Sequence, residues 1–176
     1  IISVTQGNTV AALEYYMLGL ECCNEHNVGD VQRSIEINIG YLYLDTGMYK
    51  EARQYFLSAY ARYMAAPENE RDISRLTMIY TNLAESYMLE GDMDNTAQYI
   101  DRIEAECKPH FGEMDNIYVD SLCTRFYHLI GDAEKRDMYI DDLEKRLGGR
   151  VLIMDIFDDL YEFCLLMLEL DRDDIV

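Results

Sequence analysis

Cys23 and His26 stand three positions apart in a helical pattern, the spacing at which a thiolate and an imidazole share one turn and could act as nucleophile and base. A lone spacing has little specificity, and a packed cysteine beside an exposed histidine explains it better. The three histidines, His26, His110 and His128, never pair at metal-ligand spacing, and the five cysteines contain no C-x-x-C. Asp171, Asp173 and Asp174 have the look of a calcium loop but are followed by neither its glycine nor its closing glutamate. Gly148-Gly149-Arg150 lacks the preceding strand and the lysine of a phosphate loop. Arg125 and His128, at i and i+3, could together hold an acid, or be two solvated side chains. No catalytic residue, metal site or cofactor is expected, and an enzyme ranks far behind a binding module or a scaffold.

Bulk chemistry narrows the partners. The chain has 176 residues, 34 acidic against 15 basic, and a formal charge of -19. Nucleic acid and anionic membrane both demand a cationic surface, so neither is expected. A basic or neutral partner suits this charge, although acidity also serves plain solubility. Apolar residues make up 49% of the chain, enough for a core at this length. The most apolar stretch, 151–170, is broken by Asp155, Asp158, Asp159 and Glu162, and reads as a buried helix rather than a membrane span. An odd number of cysteines within helical patterns, with no signal peptide in 1–10, points to a reducing, cytoplasmic compartment. The missing initiator methionine suggests a piece of a longer chain.

The elements that must carry any site are helices. Ile35, Ile39, Leu42 and Tyr43 share one helical face, and Ala52, Tyr55, Phe56, Ala59, Tyr60 and Tyr63 share another. Between them Gly47 suits the left-handed position that ends a helix. Glycines recur at Gly7, Gly47, Gly91 and Gly131, spaced by 40, 44 and 40 residues, and a further 40 reaches Asp171. Tyr43, Tyr87 and Tyr127 lie four before the last three of these glycines. The spacing predicts helices near 9–26, 30–46 (with Asp30 as its cap), 49–65, 71–90, 94–107, 115–130, 133–147 and 150–170, with 1–6 as a stub before Gly7. Pro67 and Pro109 fall between hairpins. The expected fold is all-α: about eight helices in antiparallel hairpins stacked as a solenoid, each burying its face against its neighbours. Its units are 29–67, 68–109 and 110–148, with partial ones at 1–28 and 149–176.

These residues resemble the tetratricopeptide repeat family. Ile39, Gly40, Tyr43, Gly47, Tyr49, Ala52, Phe56 and Ala59 come close to a full motif. Leu83, Ala84, Tyr87, Gly91, Met93, Thr96, Ile100 and Ile103 match in part, and the set from Cys123 to Leu143 matches weakly. The resemblance implies a right-handed superhelix and a non-catalytic protein- or peptide-binding module. The family repeat has 34 residues; the longer units here are similar to those of bacterial regulators, including peptide-sensing ones and the sensor regions of diguanylate cyclases. It also implies a groove lined by the first helix of each unit, at positions 34, 37, 38, 41 and 45, then 78, 81, 82, 85 and 89, then 118, 121, 122, 125 and 128, and in the last partial unit 158, 161, 162 and 165. The partner-binding residues so implied are Asn38, Tyr41, Asn82, Glu85, Tyr118 and Arg125. Asparagine suits an extended peptide, since its amide donates and accepts at once. Cations are scarce, which disfavours a clamp for a C-terminal carboxylate. Two further expectations are self-association through a truncated N-terminal end and, as the alternative function, a scaffold with no groove.

Overall fold

The structure, a computed structural model, describes residues 2–26, 28–147, 166 and 170. Within them seven α-helices follow one another: α1 (Ile2–His26), α2 (Gly29–Asp45), α3 (Tyr49–Ala65), α4 (Ile73–Glu90), α5 (Met93–Arg102), α6 (Glu113–Leu129) and α7 (Ala133–Leu147). No strand occurs among the described residues. Of the expected last helix only Leu166 and Leu170 are described, joined by a hydrogen bond from the Leu170 N–H to the Leu166 carbonyl. The rest of that helix, and Asp171, lie outside the described residues.

Three turns are built alike. Gly47, Gly91 and Gly131 have φ of 76°, 85° and 77°. At each, the N–H of the following residue (Met48, Asp92, Asp132) donates to the carbonyl of Tyr43, Tyr87 or Tyr127 at 2.9 Å. The glycine's own N–H closes the shorter loop, to Leu44, Met88 and His128. This pair of bonds satisfies carbonyls that a helix end leaves open, and it needs a left-handed residue that only glycine adopts without strain. Asp92 and Asp132 then start the next helix, accepting at 3.1 Å from the backbone N–H of Asn95 and Lys135.

Gly7 departs from this series. The expected turn there is absent, and α1 runs through it without a break. The physical difference lies in the rings around each turn. Tyr43 stacks on Tyr55, Tyr87 on Tyr99 and Tyr127 on Tyr139, with centroids 5.6, 5.8 and 5.7 Å apart, pinning both sides of each turn together. At Gly7 the first position of that pair is Ser3, and Tyr15, at the second, is 75% exposed. A helical glycine costs only about 1 kcal/mol, so without a stacked pair the helix continues. Asp30 also departs from expectation. It lies inside the first turn of α2, beyond the actual cap at Val28, and its carboxylate pairs with Arg33.

Consecutive helices pack against each other, and the core sits between them. Ile39, Ala52, Phe56 and Ala59 are fully buried, as are Ile79 and Ala84 in the next hairpin. At the end of α5 the chain widens into a π-turn, Ile103–Cys107. Its Glu106 accepts from the Tyr80 hydroxyl and its Glu104 from the Tyr139 hydroxyl, each at 3.0 Å. That turn therefore ties α5 to helices on both sides. Burial first, then neighbouring tyrosine, cysteine and carboxylate groups, push both phenols well above their ordinary range. Besides these sequential contacts, α2 touches α4 and α4 touches α6. The first helices of successive hairpins thus form a continuous inner wall.

Candidate functional site

A cavity of about 470 Å³ opens on that wall, between α2, α4 and α6. Helix α4 supplies its centre. Met78, Asn82, Glu85 and Leu89 follow each other at spacings of four, three and four, with Thr81 beside Asn82, so one face of the helix points to it. Helix α6 brings Tyr118, Ser121, Leu122 and Arg125 by the same periodicity. Only the last turns of α2 take part, through Tyr41, Leu44 and Asp45. Ser74, Thr77 and Asp115, near the N-terminal ends of α4 and α6, complete the lining.

The polar chemistry is concentrated on one side. Arg125 Nη2 donates to Glu85 Oε1 at 2.6 Å, linking α6 to α4. The pair is largely desolvated, with side-chain exposures of 14% and 26%. It is also incomplete: Arg125 Nε is buried and has no hydrogen-bond partner in the protein. Two more buried atoms share that condition, Asn82 Nδ2 and Ser121 Oγ, in residues only 3% exposed. Of four such atoms among the described residues, these three belong to the lining of one cavity. Buried donors without acceptors are rare in folded proteins because each costs about 1–3 kcal/mol. At the N-terminal end, Ser74 Oγ donates to Asp115 Oδ2 at 3.1 Å, and the same oxygen accepts from the Gly112 N–H at 3.0 Å. The described lining holds three carboxylates, of Asp45, Glu85 and Asp115, and one guanidinium, a net negative charge.

Five of the six residues singled out in the sequence line this cavity: Tyr41, Asn82, Glu85, Tyr118 and Arg125. Asn38 does not. It is exposed, one turn before the end of α2 that reaches the cavity. Its counterpart Asn82 is buried because α4 has a first helix on either side, α2 and α6. Of the remaining groove positions, Ser34, Ile37 and His128 also stay outside the lining, and those in 158–165 lie outside the described residues. Sequence reasoning missed Leu44, Ser74, Thr77 and Asp115. For Asp115 a signal existed, since its place three residues after Gly112 is that of a helix-start carboxylate.

Cys23 is buried while His26 is exposed, so the two do not face a common site. The buried thiols of Cys107 and Cys123 are pushed up by burial, Cys123 to about 12, which keeps both protonated. Arg125 turns to Glu85 and not to His128. Among the described residues no group of His, Cys, Asp and Glu could hold a metal ion, and no helix is long and apolar enough to cross a membrane.

No curated protein matches the chain. The model of the tetratricopeptide repeat family does match at residues 37–62, from the middle of α2 into α3, and this supports the tetratricopeptide repeat, a protein–protein interaction unit, as the family of that hairpin.

Proposed function

We propose that this protein is a non-catalytic binding module that takes an extended segment of a partner protein into the cavity between α2, α4 and α6. One observation carries the reading: Asn82 Nδ2, Ser121 Oγ and Arg125 Nε, buried and unpartnered, share one lining. A main-chain carbonyl of a bound segment is the acceptor such donors lack, and Tyr41, Met78, Tyr118 and Leu122 are large enough to flank its apolar side chains. The acidity of the lining favours a basic segment. The repeat length, similar to that of bacterial regulators, supports a place as the sensor segment of a signalling protein. Free cysteines agree with a cytoplasmic setting. An array of synthetic peptides tests the site. Asn82→Ala should weaken the captured peptides by about five- to tenfold, the worth of one hydrogen bond. Unchanged capture by Asn82→Ala and Ser121→Ala would remove the cavity from the function.

A second reading, an oligomerisation segment, draws on Tyr15, Val10 and Leu18, which are large, apolar and exposed on α1. Light scattering decides it: a strict monomer at high concentration eliminates self-association through this end.

A further inference from the structure

We infer that the bound segment is selected by a cationic side chain, lysine or arginine, which the Glu85 carboxylate receives while Arg125 Nε holds an adjacent main-chain carbonyl. This rests on the docking reading above and names the chemistry that fills the site. The incomplete Glu85–Arg125 pair carries it.

A guanidinium and a carboxylate that meet in a buried place usually do so through two parallel bonds. Here Arg125 donates one bond, from Nη2 to Oε1, and Nε stays unpartnered. The contact therefore engages one edge of each group. Glu85 keeps the greater exposure of the two, 26% against 14%. A ligand that completes the arrangement brings an acceptor to Nε and a donor to Glu85. An extended segment does both at once when a carbonyl precedes or follows a lysine or arginine.

Charge points the same way. Asp45 and Asp115 lie on the same lining as Glu85, and among its described residues Arg125 is the one cation. An anionic segment would meet three carboxylates; a cationic one meets a single guanidinium that is already engaged. Asn82 Nδ2 and Ser121 Oγ supply the second, uncharged point of attachment. Cation recognition by Glu85 thus adds selectivity to a site whose remaining donors read only the main chain.

The test uses three pools of labelled decapeptides with the same randomised apolar positions and one fixed residue: lysine, glutamine or glutamate. The unmodified protein should prefer the lysine pool over the glutamine pool by about tenfold, and the glutamate pool should bind weakest. Glu85→Gln/Arg125→Gln should reduce the lysine preference to within about twofold while leaving the net charge of the protein unchanged, which separates the site from the general attraction of an acidic protein for cations. Asp94→Asn, outside the cavity, should leave the preference intact. An arm that needs no variant replaces the lysine of the best peptide by Nε-acetyl-lysine and should cost the same tenfold. If glutamine peptides bind as well as lysine peptides, yet Asn82→Ala still weakens them, the cation is not read and the docking site stands. If no pool responds to Asn82→Ala, the docking reading fails and the cation inference falls with it.

Discussion

Gly40 has no room for a methyl group. A Cβ there would lie 2.3 Å from Cε1 of the Phe56 ring, which is fully buried. The corresponding small residues are Ala84 and Thr124, and the residues sixteen further on are Ile100 and Ile140, smaller than phenylalanine. Each hairpin thus balances a small residue on its first helix with a bulky one on its second, and the balance differs from hairpin to hairpin. Gly40→Ala should destabilise the protein by about 1–3 kcal/mol through overpacking, read as a lower urea midpoint, and adding Phe56→Leu should recover part of it. A second residue couples stability to pH. Burial raises the Asp120 carboxyl to about 6, against the opposing hydrogen bond and charge of Arg146 at 2.9 Å. Asp142 adds to the rise and Lys108 opposes it. The native state therefore holds this proton more tightly than the unfolded chain does. The contribution is complete below the unfolded value near 3.8 and is lost as pH rises through about 6. Asp120→Asn should flatten the stability profile in that window by about 1–3 kcal/mol, measured by denaturation at a series of pH values.

At the scale of elements, the repeated unit is a turn with a ring pair across it. The glycine supplies the left-handed backbone, and the tyrosines four before and eight after it stack. Arg53 extends this device between hairpins: its guanidinium lies 4.3 Å from the Tyr87 ring centroid, donates to the Ser86 carbonyl at 3.0 Å and pairs with Glu90. Two glycines should respond oppositely to alanine. Gly91→Ala forces a side chain into φ of 85° and should cost about 1–2 kcal/mol although nothing crowds the position. Gly29→Ala, at the start of α2 with open space around it and no positive φ, should be neutral or stabilise by up to about 1 kcal/mol. Thermal melts of the two variants check both. The turns were legible in the sequence because each depends on a glycine and its immediate neighbours. The second tyrosine of each pair was not identified as a stacking partner, since twelve residues and a change of helix separate it from the first.

At the scale of the whole molecule, a charge of -19 is a net self-repulsion, although the hairpin 29–67 holds four acidic and four basic residues and is itself neutral. Cross-hairpin links oppose this locally: Arg53 to Glu90, Arg125 to Glu85, and Ser74 to Asp115. Screening should therefore stabilise the protein. The melting temperature should rise by several degrees between low salt and about 0.5 M sodium chloride, where the screening length is only a few ångströms. A falling melting temperature would mean that the ion pairs outweigh the net repulsion.

Between residues 29 and 147 the sequence by itself determined the helices, their order and three of the turns, because helical periodicity and glycine's left-handed freedom act over a few residues. The family resemblance added Tyr41, Asn82, Glu85, Tyr118 and Arg125 on successive first helices, with Tyr41, Glu85 and Arg125 at one equivalent position. Only the tertiary structure decided that Gly7 lies inside a helix, that Asn38 faces outward while Asn82 is buried, and that Arg125 meets Glu85 at 2.6 Å. The reason is physical. A turn without a ring pair to close it loses to helix continuation, and burial of an inner-wall residue depends on having a neighbour on each side. An ion pair across forty residues exists only once two hairpins have packed.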